Sequence, residues 1–321
     1  MRIRRKTKDC LNCGLGLSEI YNYCPRCGQE NHVKMVSFGQ LFRDFIVNYF
    51  SFDTKFFRSI KPFILKPGQL TVLFIEGKRA SYVNPLRLYI ILSVVFFFLS
   101  TLLVQQAIET GSIREGAVQN ISGANTAERR EAAELGIGKF RDILADETLS
   151  NQQVLDSLKN VGVSLTVKFE SYTGELVFNQ LRKVARQDFD VFMAYVMQNM
   201  PIMMFFLLPF YAIVLKLLYF RNNILYVKHL IYGLHIHCFT FFLISLLLLL
   251  YLVTEPESIL VSYVEMLVYG LLIVYIYISM LHVYRQKWLK TLIKFFLLGF
   301  VYFFMLLVFG ISEAFISFLI F

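Results

Sequence analysis

"LIYGLHIHCFTFFLISLLLLLYLV", residues 230–253, is a 24-residue run without a single Lys, Arg, Asp or Glu. A helix needs roughly 20 apolar residues to cross about 30 Å of hydrocarbon, so this run is long enough to be a span and too long to be a buried strand. Four further runs qualify. Residues 88–108 follow Pro85, a residue suited to the first turn of a helix. Residues 191–215 contain Pro201 and Pro209, residues 259–280 are interrupted by Glu265, and a last run extends from 295 to near Phe321 with Glu313 towards its end. The composition agrees: 56% of the chain is hydrophobic and 17% charged, against about 25% charged in globular domains. The fold class expected is mainly α, a polytopic α-helical membrane protein with about five spans and a small N-terminal zinc ribbon. An odd number of spans puts the two termini on opposite sides.

Charge sets the orientation. Residues 1–85 carry 14 Lys/Arg against 6 Asp/Glu, and residues 109–190 carry 10 against 13. The short loops follow suit: Lys216, Arg221 and Lys228 succeed the second span, "TEPES" separates the third from the fourth, and Arg285, Lys287, Lys290 and Lys294 succeed the fourth. Positive residues stay on the cytoplasmic side of short loops. The N-terminus is therefore expected to be cytoplasmic and the C-terminus extracytoplasmic. "MRIRRKTKD" is not followed by the short apolar core of a secretory signal, so the N-terminus is expected to be retained. Topology accounts for most of the net charge of +9, and nucleic acid is set aside as a partner.

Four of the five cysteines form two Cys-x-x-Cys pairs, Cys10/Cys13 and Cys24/Cys27, each followed by a glycine, Gly14 and Gly28. Four thiolates close a tetrahedron around zinc, and a glycine behind each pair lets the backbone turn its amides towards sulfur. Two disulfides are the alternative, but a Cys-x-x-Cys closed on itself is a strained redox motif rather than a staple, and a cytoplasmic location keeps thiols reduced. One structural zinc per chain is expected, with no open coordination position for catalysis.

The remaining segments divide accordingly: 1–33 the cytoplasmic ribbon, 34–85 amphipathic interfacial helices, 86–108 the first span, 109–190 an extracytoplasmic helical loop and 191–321 a four-helix transmembrane region. From Ser37 the residues Phe38, Leu41, Phe42, Phe45, Ile46, Tyr49 and Phe50 share one helical face. A second short helix should start at Asp53 and end before "KPG" at 66–68, with Lys55, Arg58 and Lys61 as its cations. Such helices suit the plane of an anionic leaflet or pack under the bundle. The outer loop has few aromatics and does not look rich in core formers. Its stretches 127–147 and 178–192 read as amphipathic helices, the second continuing without a break into the second span, and 109–125 reads as a loose linker. No internal repeat is evident.

Ionisable residues at bilayer depth are costly and invite a functional reading. His229, Gly233, His237 and Thr240 share one face of the third span, while His235 points elsewhere with Tyr232. Ser258, Ser262, Glu265 and Tyr269 form a stripe on the fourth. Both stripes are expected to face the bundle interior, with Gln198 and Asn199 near Glu265. Counting about 1.5 Å per residue from the span ends leaves His237 and Glu265 about 10 Å apart in height, which disfavours direct pairing. His229, His237 and Glu265 are therefore either a water-filled relay or separate interhelical hydrogen bonds that fix the bundle. Neither a serine–histidine–carboxylate set nor a phosphate-binding glycine loop occurs in the soluble parts, and nothing in the sequence asks for an enzyme.

"CLNCG…YCPRCGQ", "FDTKFFRSI…KPG…EGKRASYVNPLRLY", "YVKHLIYGLHIHCF" and "VYRQKWLKT" together resemble an uncharacterised bacterial family of zinc-ribbon, multi-pass membrane proteins, domain of unknown function 3667. The resemblance implies architecture and no activity. The functional expectation is an adaptor or regulatory protein whose ribbon docks a cytoplasmic protein partner or organises the interfacial helices, embedded in a bilayer with anionic lipids. The alternative is a proton-linked or small-solute transporter or channel that uses the polar residues of the third and fourth spans.

Overall fold

The structure is a computed structural model that describes residues 6–31, 54–109, 138–160, 172–187, 189–254 and 258–321, together with Gly39. The amphipathic face expected from Ser37 to Phe50 and the linker at 109–125 lie outside the described residues, apart from Gly39 and Glu109. The described chain is helical, with two isolated β-bridges in the N-terminal ribbon. The helices are α1 (Thr54–Leu65), α2 (Gln69–Ile75), α3 (Pro85–Glu109), α4 (residues 138–145), α5 (Asn151–Asn160), α6 (Tyr172–Arg186), α7 (Phe189–Leu218), α8 (Tyr226–Val253), α9 (Ile259–Tyr284) and α10 (Trp288–Ile320). Five of them, α3, α7, α8, α9 and α10, are long and apolar enough to cross a membrane, and the chain is a multi-pass membrane protein.

The helix ends follow local chemistry. At the start of α3 the Asn84 side chain accepts the Leu86 N–H at 2.9 Å and the Asn84 carbonyl accepts from Leu88 at 3.0 Å. Asn84 is thus the N-cap and Pro85 takes the first helical position, where its missing N–H costs nothing. α1 stops at Leu65, before the "KPG" turn, as its residues predict. α10 begins at Trp288, earlier than the apolar run suggests, so Lys290 and Lys294 lie on its first two turns.

The chain forms two compact units. One comprises Met1–Leu99 with Met204–Leu307, the other Ser100–Met203 with Val308–Phe321. In the first, α8 is the central element. Every residue from His229 to Phe239 is buried, so α8 has no solvent- or lipid-facing side over that length. α2 packs against both α8 and α9, and α1 packs against α2 and α8. Leu70, Thr71, Leu73 and Phe74 of α2 are buried. α1 buries Ser59 and Phe63 but exposes Phe57, Ile60 and Leu65 beside Arg58 and Lys61.

The second unit corrects the expectation of a loop poor in core. Leu144, Val154, Leu158 and Phe178 are each at most 1% exposed and form one cluster. α5 opens with a capping box: Gln153 accepts the Ser150 N–H at 2.8 Å while its own N–H reaches the Ser150 hydroxyl at 3.4 Å. Buried Arg182 replaces missing apolar mass. Its guanidinium donates to the carbonyls of Leu144, Asp146 and Leu149 and to the Asn151 side chain, at 2.5 to 3.2 Å. The continuous helix expected from 178 into the second span is also corrected, because α6 ends at Arg186 and α7 starts at Phe189. α6 buries one face against a small cluster whereas α7 is apolar all round, and the two demands are met by separate helices.

A candidate metal centre and the buried polar contacts

The ribbon consists of two copies of one turn, offset by 14 residues. Gly14 N–H donates to the Cys10 carbonyl and Gly28 N–H to that of Cys24, both at 2.9 Å; Cys10 N–H donates to Leu15 and Cys24 N–H to Gln29, both at 2.8 Å. The bridges Asp9–Gly16 and Tyr23–Glu30 repeat the offset, as do the bonds from Leu17 to Lys8 and from Asn31 to Asn22. Gly14 and Gly28 have φ of 74° and 71°, where a side chain would be strained. This is an internal repeat that the sequence reading missed, since beyond the cysteines and glycines the two copies share almost no residues.

The two turns bring the four thiols together. Cys10 and Cys27 sulfurs are 3.5 Å apart and those of Cys13 and Cys24 3.6 Å, and all four lie within 4.8 Å of one another. None is in a disulfide. Sulfurs about 2.3 Å from a tetrahedral ion would be roughly 3.8 Å apart, so the four could hold a metal ion, and their spacing is compatible with zinc. The thiols do not titrate alike. Burial pushes Cys10 up to about 11. At Cys24 the same desolvation is outweighed by the amides of Cys27 and Arg26, which bring the thiol down to about 7.

The ribbon is tied to the segment before α3. Gln29 donates to the Gly77 carbonyl at 2.6 Å and accepts from the Ala80 N–H at 3.1 Å. Gly77 has φ of 100°, and a Cβ there would come 3.0 Å from the Leu11 side chain. The Thr7 amide and hydroxyl close the ribbon on Asn31 at 2.9 and 2.8 Å. Ile20, Tyr21 and Tyr23 stay exposed.

Within the helices, the candidate polar residues are spent separately. His229 bonds through Nδ1 to the Tyr284 hydroxyl of α9 at 2.9 Å, and Tyr284 stacks on Tyr219 at 3.7 Å. Lys294 lies over the other ring of that stack, 3.8 Å from the Tyr219 centroid. His237 Nδ1 is 2.8 Å from the Gly233 carbonyl and Nε2 is 2.9 Å from the Tyr302 hydroxyl of α10. A carbonyl can only accept, so a proton is on Nδ1; in the neutral ring Tyr302 then donates to Nε2, and both ring nitrogens are bonded. His235, expected to point away from the site, is buried against α2, with Nδ1 2.9 Å from the Thr71 hydroxyl. The "HIH" thus addresses two different neighbours.

Glu265 adjoins Tyr251 of α8 and is only partly buried. Of its stripe, Ser262 and Tyr269 are exposed, which corrects the expectation of an inward-facing face. A helix with nearly uniform hydrophobicity gives little indication of which side packs inward. Register separates Glu265 from the histidines. The Tyr232 hydroxyl meets the Ser279 hydroxyl at 2.8 Å; His237 is five residues after Tyr232 and Glu265 fourteen before Ser279 on the antiparallel neighbour, so they differ in height by about 13 Å. Asn199 donates to Ser317 at 3.0 Å. His229, His237 and Glu265 are therefore not brought to one place. The contacts that sequence reasoning missed, Gln29 to Gly77, His235 to Thr71 and the carboxyl of Glu313 to Ser317, join residues 48, 164 and 4 positions apart. Of these only the last left a signal, an acidic residue inside an apolar run.

A family model described as "Protein of unknown function (DUF3667)" matches residues 53–97. These residues span α1, α2, the Gly77–Ala80 segment that receives Gln29, and the first half of α3. No curated protein and no solved structure matches the chain.

Proposed function

We propose that the protein is an adaptor or regulatory protein of a bacterial inner membrane, with a structural zinc ribbon on the cytoplasmic side. The observation that carries this reading is the attachment of the ribbon through Gln29 to Gly77 and Ala80, within the family-matched residues. A ribbon that is fixed through Gln29 and leaves Ile20, Tyr21 and Tyr23 exposed is suited to transmit the binding of a protein to the helices it is tied to. Four protein ligands leave no position open for chemistry. The bonding of His229 and His237 to separate helices argues against a continuous relay, and the transport reading is the weaker one. The basic N-terminal segment and inner loops support the cytoplasmic placement and an anionic leaflet.

The test is site-specific photocrosslinking from Tyr23 in intact cells, with topology reporters on the same chain. The reading expects a discrete crosslinked cytoplasmic protein, lost in Cys24→Ser and kept in Glu265→Gln. It also expects reporters after residue 150 and at Phe321 outside, and at Asn222 or Lys287 inside. Crosslinks to lipid alone, or an externally placed residue 222, would overturn it.

A further inference from the structure

α10 carries one acidic residue, Glu313, and buries it: the residue is 8% exposed and its neighbour Ser317 2%. The Ser317 hydroxyl donates to Oε1 of Glu313 at 2.6 Å, and the Asn199 carboxamide of α7 donates to the Ser317 hydroxyl at 3.0 Å. Asn199 and Ser317 thus form a chain of polar contacts that ends on the carboxyl group. Oε2 is buried and has no hydrogen-bond partner. The cation that α6 brings towards the end of α10, Lys183, is held by the Phe321 carbonyl and lies 5.8 Å from the centre of its ring, two helical turns beyond Glu313. Among the described residues the carboxyl group has no ion-pair partner, and a buried carboxyl group with an unfilled oxygen is costlier than a fully bonded one.

We propose that Glu313 is the charged ligand of a monovalent-cation site, with the Ser317 hydroxyl as a second ligand and Asn199 as the residue that orients it. One carboxylate supplies one negative charge, which matches an alkali cation rather than a divalent one. The donors are hard oxygens, as such ions require. Ser317 Oγ gives its proton to Glu313 and takes one from Asn199, leaving a lone pair for the ion, while Oε2 supplies the charge. Half-buried Asn199 gives the cluster a partly open edge. The site lies in the second unit and stands independently of the ribbon and of the adaptor reading.

Thermal unfolding of the purified full chain in NaCl, KCl, LiCl and choline chloride at equal ionic strength tests the proposal. Binding to the folded state alone raises the midpoint in a saturable way. At least one alkali cation should raise it by a few degrees over choline, and Glu313→Gln should abolish that difference. Ser317→Ala should raise the half-saturating concentration by about tenfold, in the range seen for weakened metal-site ligation. Identical midpoints in alkali and choline salts for the wild type would overturn the site, as would an alkali response that survives unchanged in Ser317→Ala, even if Glu313→Gln failed to fold.

Discussion

The hydroxyl of Tyr275 on α9 donates to the backbone carbonyl of Phe63 in the last turn of α1. In a regular helix that carbonyl would accept from the residue four positions on, which is Pro67 and has no N–H. Tyr275 therefore supplies the donor that the "KPG" turn removes, while its ring stacks on Phe239 at 3.4 Å. Tyr275→Phe keeps the ring and strands the carbonyl, a loss of about 1–3 kcal/mol for a buried unsatisfied group. The thermal midpoint should fall, and Pro67→Ala in that background should recover part of the loss by restoring an N–H. Equal midpoints for Tyr275→Phe and the wild type would show that the carbonyl has another partner.

Gly68 makes the same turn possible and should be less forgiving. It has φ of 77°, and a Cβ would come 2.9 Å from both the Ser279 carbonyl oxygen and Val283 Cγ2. The carbonyl belongs to helix backbone and cannot swing aside. Gly68→Ala should lower the thermal midpoint more than Tyr275→Phe does, and trimming Val283 to Ala should rescue it only in part.

These two contacts mark the boundary of what the sequence makes legible. The spans were readable because hydrophobicity over about 20 residues is a local property, and the four cysteines because their spacing encodes the turns that carry them. The seat of α1 and α2 was not readable: it depends on Phe63 meeting Tyr275 and Thr71 meeting His235, pairs 212 and 164 residues apart. Periodicity also failed for the third and fourth spans. α8 is covered on every side from His229 to Phe239 and α9 exposes Ser262 and Tyr269 of its polar stripe, so neither has the one-sided pattern on which such a reading relies.

The helices packed around Leu144 and Phe178 should depend on Arg182 more than on any one apolar residue. Arg182→Met removes the donors for three carbonyls and should expose residues 138–160 to limited proteolysis while membrane insertion persists. Asp146 gives the same segment a pH dependence. Hydrogen bonds from the Thr148 hydroxyl and amide, with Arg182 nearby, hold its carboxyl below the usual 3.8. A group whose folded pKa is lowered adds stability above its unfolded value and loses it as pH falls through the folded one. Protection of this segment should therefore persist at pH 5 and weaken only below about 3.8. Weakening between pH 7 and 5 would mean that another group governs it.

The buried histidines should behave as fasteners. Tyr302→Phe leaves Nε2 of His237 without its donor and should cost about 0.6 kcal/mol, the average for a hydrogen bond between membrane helices. Glu265→Gln should change neither stability nor the proton permeability of reconstituted vesicles. Proton flux that requires both Glu265 and His237 would revive the transport reading.

The central claim is that the N-terminal segment is a reduced, metal-bearing ribbon attached to a membrane bundle, and elemental analysis of the purified chain tests it most directly. The purified chain should carry about one zinc, lost in Cys24→Ser without loss of membrane insertion, because metal binding of about 10 to 16 kcal/mol is folding free energy in such modules. A protein free of metal, with Cys10, Cys13, Cys24 and Cys27 oxidised in pairs, would contradict both the metal centre and the cytoplasmic placement of the ribbon.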